Sequence, residues 1–312
     1  MRRSFIAVSV IVFAALGLSG CSTATATAVS YDGPIIDMHL HTDPPESSRT
    51  MPNPASGAPS VQPGAALMNA TVAEMDRHNI VLGVLNGYPG TLASWMQAHP
   101  QRFLAAIMPF RDSATPILDA ETLRGQLESG EATAVGEIVA QYVGLAPADP
   151  ALEPFWRVAE ETGAPVLLHI GTSFPGTAYS GYPAFRLALG NPMLLEEVLV
   201  RHPRLRIWLA HGGAAWVQET FDLMQQYPQV YLDISTVSWI GGEAGRAGFH
   251  AFLREAIARG FGKRIMFGSD QMAWPDAIGL AVAAVDSASF LTPEQKRDIF
   301  HDNAARFLRL AD

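Results

Sequence analysis

Eight short apolar runs, separated by amphipathic stretches, constrain this chain more than any other feature. They lie at Ile35–His39, Ile80–Leu85, Phe103–Pro109, Ala134–Ile138, Val166–Ile170, Ile207–His211, Val230–Ile234 and Ile265–Gly268. Runs of this length, bounded by turn residues, read as buried strands. The segment EPFWRVAEETGAP shows what lies between them. Phe155, Val158 and Ala159 recur at helical spacing, Gly163 closes the helix, and Pro165 follows. Strands alternating with helices predict a parallel sheet with helical crossovers. Eight such units predict an α/β fold, a single-domain (β/α)8 TIM barrel. No Gly-rich phosphate loop follows any strand, which counts against a doubly wound open sheet.

The chain begins outside that pattern. Met1-Arg2-Arg3 is basic, Ser4 to Leu18 is almost wholly apolar, and Leu18-Ser19-Gly20-Cys21 follows. That is the layout of a secretory signal, too short and wrongly flanked for a membrane span. The ending LSGC resembles the lipobox of bacterial lipoprotein signals, in which the cysteine becomes the lipidated first residue of the mature chain. The expected organisation is a signal peptide over 1–20, a small polar tether over 21–33 attached to a lipid through Cys21, and a barrel domain over 34–312. The resemblance implies export and anchoring to a bacterial membrane. Ser22 after the cysteine implies the periplasmic face of the outer membrane where the cell has one. Cys21 is the only cysteine, so no intrachain disulfide supports the domain.

Charge narrows the partners. The formal charge of −9 becomes −11 once Arg2 and Arg3 leave with the signal, and Lys263 and Lys296 are the only lysines. Nucleic acid is excluded as a partner, because gripping phosphates needs a basic surface. Between Asp43 and Pro63 stand six prolines in 21 residues. A connection of that length after strand one reads as a mobile loop or a lid over the barrel mouth.

The nine histidines sort by position. Catalytic groups of a TIM barrel sit at the C-terminal ends of its strands. His39 and His41 end strand one in IIDMHLHTD, where residues two apart share a face with Asp37. His169 ends strand five, His211 ends strand six, Glu137 lies near the end of strand four and Asp270 follows strand eight. His78, His99 and His202 precede strands and fall at the opposite face, while His250 and His301 lie in helical segments. Four histidines and two carboxylates converging on an apolar barrel would each carry a desolvation cost without a shared partner. A divalent metal supplies one.

The pattern DxHxH at Asp37, His39 and His41, a strand-four glutamate, histidines ending strands five and six, and Gly268-Ser269-Asp270 together resemble the amidohydrolase superfamily. The tail NAARFLRL from Asn303 resembles the closing helix of its amidohydrolase-related branch, which includes aminocarboxymuconate-semialdehyde decarboxylase. The likeness spans Ile35 to Leu310. It implies a divalent metal, zinc above all, held by His39, His41, His169 and Asp270, with His211 as general base or acid beside a metal-activated water. Asp270 and Glu137 join His211 as catalytic candidates, and Asp37 orients a ligand or anchors the strand rather than binding metal. For Glu137 three roles stay open: bridging a second metal, hydrogen-bonding substrate or water, or pairing with a buried arginine.

Substrate contacts are read from the rim. Arg111 after strand three is either a carboxylate clamp or a surface ion pair. Phe174, Tyr179, Tyr182 and Phe185 follow strand five, Trp239 follows strand seven, and Trp274 follows Asp270. Tyr182, Trp239 and Trp274 are the candidates to line a site for a small apolar or ring-shaped molecule. The expected function is metal-dependent hydrolysis of an amide, lactone or ester. The alternatives are a metal-dependent non-oxidative decarboxylase and a catalytically silent, lipid-anchored binding protein.

Overall fold

The computed structural model describes residues 30–42, 50–111 and 113–310. Cys21, the signal and most of the tether lie outside the described residues. Among the described residues eight parallel strands form one sheet in chain order: β1 (Ile35–Thr42), β2 (Ile80–Gly87), β3 (Phe103–Ile107), β4 (Ala134–Ile138), β5 (Val166–Leu168), β6 (Ile207–Leu209), β7 (Val230–Asp233) and β8 (Ile265–Met266). β1 returns to β8 and closes the barrel. Met38 N donates to Phe267 O at 2.9 Å, Asp270 N to His39 O at 2.8 Å and His41 N to Gln271 O at 2.9 Å. These bonds, with the β2 register that pairs Thr42 with Gly87, carry β1 beyond the expected end at His39.

Alternation along the strands divides the core into two shells. Outward residues such as Val166, Leu168, Ile207 and Leu209 pack beneath the helices. Inward residues Ile36, Val84, Ala106, Leu167, Trp208 and Met266 fill the barrel toward its N-terminal end. That end is stoppered by Phe307, on the helix Asn303–Leu308, whose ring lies 5.6 Å from Trp208 and 4.7 Å from Tyr231. The helix Glu153–Thr162 buries Phe155, Trp156, Val158 and Ala159 on one face and ends at left-handed Gly163, as its sequence predicts.

Part of the proline-rich stretch after β1 is also fastened. Val61 N donates to Ala273 O at 2.8 Å, Trp274 Nε1 to Met51 O at 3.0 Å, and Asn53 Nδ2 to Asp276 Oδ1 at 3.1 Å. Residues 50–63 are thus held against the loop after β8; residues 43–49 lie outside the described residues. No helix of the described residues is long and apolar enough to cross a membrane.

Candidate metal centre

The inward alternation that buries Leu167 at the bottom of the barrel puts His169 on the same side two residues later, and Tyr231 is followed likewise by Asp233. At β4 a glycine adjusts the step. Gly136 has φ +141°, and a Cβ there would lie 2.7 Å from Leu167 Cβ, so only glycine turns the chain to aim Glu137 inward. His211 and Asp270 sit at φ 63° and 53°. Non-glycine residues in that region cost roughly 1–2 kcal/mol, and backbone strain of this kind gathers at functional sites.

The side chains so aimed form two donor groups. His39 and His41 face each other with Nε2 atoms 3.0 Å apart. Asp270 Oδ1 lies 3.2 Å from His41 Nε2 and 3.6 Å from His39 Nε2. On the other side His169 Nδ1 and His211 Nε2 are 3.0 Å apart. Glu137 stands between the groups. Its Oε1 is 2.7 Å from His169 Nδ1 and 3.4 Å from His211 Nε2, and its Oε2 is 3.7 Å from His39 and 3.6 Å from His41. His39 is fully buried, whereas the other five are 5–8 % exposed and open to the barrel mouth.

These donors fit a divalent metal. Ligand atoms 2.0–2.1 Å from a tetrahedral ion lie roughly 3.3 Å apart; the contacts within the His39, His41 and Asp270 group run from 3.0 to 3.6 Å. Two imidazole nitrogens at 3.0 Å cannot both carry a hydrogen on the facing atoms. Imidazole and carboxylate donors suit zinc, manganese or iron.

The field in the site also calls for positive charge. Burial disfavours an ionised Glu137, but His169, His211 and His39 outweigh it and hold its pKa well below the carboxylate range. Asp270 is lowered in the same way, burial being overcome by His39, His41 and His211. Burial opposes charge on His39 too, yet Asp233, Asp270 and Glu137 raise its pKa well above the ordinary value. Asp37 goes the other way. Burial pushes it to about 7, against hydrogen bonds from Ser269 and from the His39 amide. Its Oδ1 takes the amides of His39 and Ser269 at 3.0 Å each, which ties β1 to β8 below the donors.

Among the described residues histidines surround Glu137 and no arginine pairs with it. The other five histidines make local contacts away from the centre. His202 meets Glu153 at 3.0 Å and Glu160 at 3.2 Å, His250 bonds the Ala284 carbonyl at 2.9 Å, and His301 meets Asp302 at 2.9 Å. His78 lies 3.5 Å from Glu74, and His99 packs edge-on to Phe103 at 6.3 Å.

The expected substrate residues scatter. Tyr182 is 38 % exposed and meets Tyr142 edge-on at 5.1 Å; Tyr142 meets His169 edge-on at 5.0 Å. Phe185 also packs on Tyr142, at 5.1 Å, while Tyr179 projects into solvent. The Arg111 guanidinium lies 5.4 Å from the Tyr88 ring centre. Trp239 and Trp274, expected at the substrate, are instead buried. Their Nε1 atoms donate to Ser269 O at 2.6 Å and Met51 O at 3.0 Å, so both indoles are engaged within the fold.

Sequence reasoning missed Tyr142, Asp233, Ser235 and Thr236. Asp233 is fully buried, with Oδ2 3.1 Å from His39 Nδ1 and Oδ1 accepting the His211 amide at 3.0 Å. Thr236 Oγ1 donates to Asp270 Oδ2 at 2.5 Å. The test of polar groups at strand ends, applied to VYLDIST, would have found Asp233.

An eight-stranded barrel with its donors at the C-terminal rim is the architecture of metal-dependent barrel enzymes. The family model described as Amidohydrolase matches residues 36–310, and the chain belongs to that family. No curated protein matches it. Solved structures share the fold at low identity. A probable 2-pyrone-4,6-dicarboxylic acid hydrolase from Acinetobacter baumannii, with citric acid bound, is 16 % identical over 89 % of this chain and 100 % of its own, with a TM-score of 0.63. A 2,6-dihydroxybenzoate decarboxylase from Rhizobium is 19 % identical over 89 % and 99 %, with a TM-score of 0.59. A dihydroxybenzoic acid decarboxylase from Polaromonas, with bound manganese and 2-nitroresorcinol, is 17 % identical over 89 % and 97 %, with a TM-score of 0.61.

Proposed function

We propose that this amidohydrolase-family enzyme hydrolyses a small-molecule lactone, ester or amide with divalent metal held at the barrel mouth. His39, His41 and Asp270 form one donor set and Glu137, His169 and His211 the other. The observation that carries the reading is the division of Glu137, one oxygen toward each histidine pair. A carboxylate so placed suits two ions, and paired ions suit hydrolysis. When bound, such ions polarise a carbonyl and bring the pKa of water toward neutrality. Zinc fits the donors, and the manganese of the Polaromonas decarboxylase makes that metal the rival.

The chain's own residues then divide the work. Asp270 is the proton acceptor, since a carboxylate has lone pairs on both oxygens beyond the one a metal would take, and Thr236 fills only one site, on Oδ2. The sequence expectation gave His211 that task. The Nε2 lone pair that would accept a proton is the one that would bind metal, and it cannot do both at once. Tyr142, Tyr182 and Phe185 form an aromatic wall beside His169 suited to a ring-bearing substrate. Arg111, at the rim after β3, would draw in an anionic group.

Decarboxylation is the second reading, because two of the similar structures are decarboxylases. Aryl esters, lactones, anilides and hydroxybenzoates, assayed in parallel for acid release and for carbon dioxide, separate the two. Chelator-sensitive acid release supports hydrolysis. Carbon dioxide from hydroxybenzoates, with no acid release from the others, would replace it with the lyase. Export and lipid anchoring through Cys21 are also proposed, on the basic start, the apolar run and LSGC. An unmodified Cys21 in the intact mass of membrane-derived protein would refute them.

A further inference from the structure

We infer that the exit of β7, Asp233-Ile234-Ser235-Thr236, sets the ring tautomers of both His39 and His211, so that each turns a lone pair rather than a hydrogen toward the donor cluster. The inference rests on the metal reading above, yet the chain shows it through a count of hydrogens.

Ser235 Oγ lies 2.5 Å from Asp233 Oδ1. Two oxygens that close require a hydrogen between them, and an ionised carboxylate has none to give. Ser235 is therefore the donor. A hydroxyl carries one hydrogen, so its lone pairs must accept from whatever else approaches. The approaching atoms are His211 Nδ1 at 3.0 Å and His39 Nδ1 at 3.1 Å. Each must bring its own hydrogen. His39 Nδ1 also faces Asp233 Oδ2 at 3.1 Å, a second acceptor that demands the same assignment.

A neutral imidazole with its hydrogen on Nδ1 has its lone pair on Nε2. His39 Nε2 is the atom that meets His41 Nε2 at 3.0 Å, and His211 Nε2 is the atom 3.4 Å from Glu137 Oε1. The reverse assignment fails. It would send the Ser235 hydrogen to His211 and leave two bare oxygens 2.5 Å apart.

Asp233 stands close enough to His39 and His211 to hold an ion itself. Its Oδ1 already accepts the His211 amide, the Ser235 amide and the Ser235 hydroxyl. That saturation suits an orienting role. Thr236 completes the stretch, engaging Asp270 Oδ2 at 2.5 Å and leaving Oδ1 for the cluster. One short segment with no proposed ligand thus orients three ligands. Asp233, Ser235 and Thr236 are positioning residues.

The test uses the full chain with 15N-labelled histidine, read by imidazole 15N–1H correlation, and a chelator competition with zinc. At a pH high enough to leave both rings neutral, His39 and His211 should carry hydrogen on Nδ1 and none on Nε2. Ser235→Ala should blur that state at His211 and weaken zinc binding by roughly 10–100-fold, the usual effect of losing such a partner. Ser235→Thr, which keeps the hydroxyl, should restore most of it. A neutral His211 or His39 carrying its hydrogen on Nε2 in the unaltered chain overturns the inference without any variant, as does unchanged zinc affinity in a folded Ser235→Ala. An unaltered chain with Nδ1-protonated rings but no zinc affinity would support the positioning role and sink the metal reading.

Discussion

The two ends of the barrel interior are made from the same strands, two to four residues apart, and do opposite work. At the N-terminal end Leu167, Trp208, Tyr231 and Met266 meet Phe307 in a close-packed apolar layer. At the C-terminal end His169, His211 and Asp233 point into a polar cluster with Glu137 and Asp270. Apolar burial stabilises the first layer at about 25 cal/mol per Å². The second carries the cost of buried carboxylates and of residues in the left-handed region. In this barrel height along the strand, rather than the face a residue occupies, separates stability from chemistry.

Breaking that division should cost most at the mouth. His41→Ala or Glu137→Ala should lower hydrolysis by about 10³-fold, the equivalent of several kcal/mol of transition-state stabilisation. Thermal unfolding measured in chelator should shift little. Trp208→Ala should show the reverse, a loss of about 3–5 kcal/mol in denaturant unfolding with turnover per folded molecule kept. If Trp208→Ala abolished turnover in a stable chain, the two ends would not be separable.

Gly136→Ala sharpens the comparison because it touches both ends. The added Cβ meets Leu167 at 2.7 Å below and disturbs Glu137 above. A stability loss of about 1–3 kcal/mol should come with lost activity, read from unfolding and turnover on one sample. The smallest effect belongs to Asp286, which accepts from Lys296 Nζ at 2.9 Å, from Ser30 Oγ at 2.7 Å and from the Tyr31 amide at 2.8 Å. Burial raises its pKa, but these donors outweigh it and leave the value lowered. A lowered carboxylate stabilises the fold fully above its unfolded pKa of about 3.9 and ceases to do so as pH falls through the folded value. Asp286→Asn should therefore cost about 1 kcal/mol at pH 7 through the lost charged hydrogen bonds, a difference that shrinks as pH falls through the folded value, seen in urea midpoints across pH.

Most of the barrel was legible because its signals are local. Apolar runs between amphipathic helices name the strands, and strand ends name the rim, so His39, His41, Glu137, His169, His211 and Asp270 fall together in three dimensions as their positions imply. What was not legible depends on pairing across the barrel. Nothing local in IIDMHLHTD says that β1 runs on to Thr42, because Gln271 supplies the bond. Trp239 and Trp274 follow strands as rim residues do, yet Ser269 and Met51 draw their indoles into the interior. The strand-end test would have placed Asp233 at the rim, but only its contacts with His39 and His211 show that it orients those rings.

Metal content per chain, in the unaltered protein and in Glu137→Ala, tests the divided Glu137 most directly. Two donor groups sharing one carboxylate predict two divalent ions in the unaltered chain and at most one in the variant. Equal content in both would place Glu137 outside the ligands, and no tightly held metal in either would contradict a metal-dependent site.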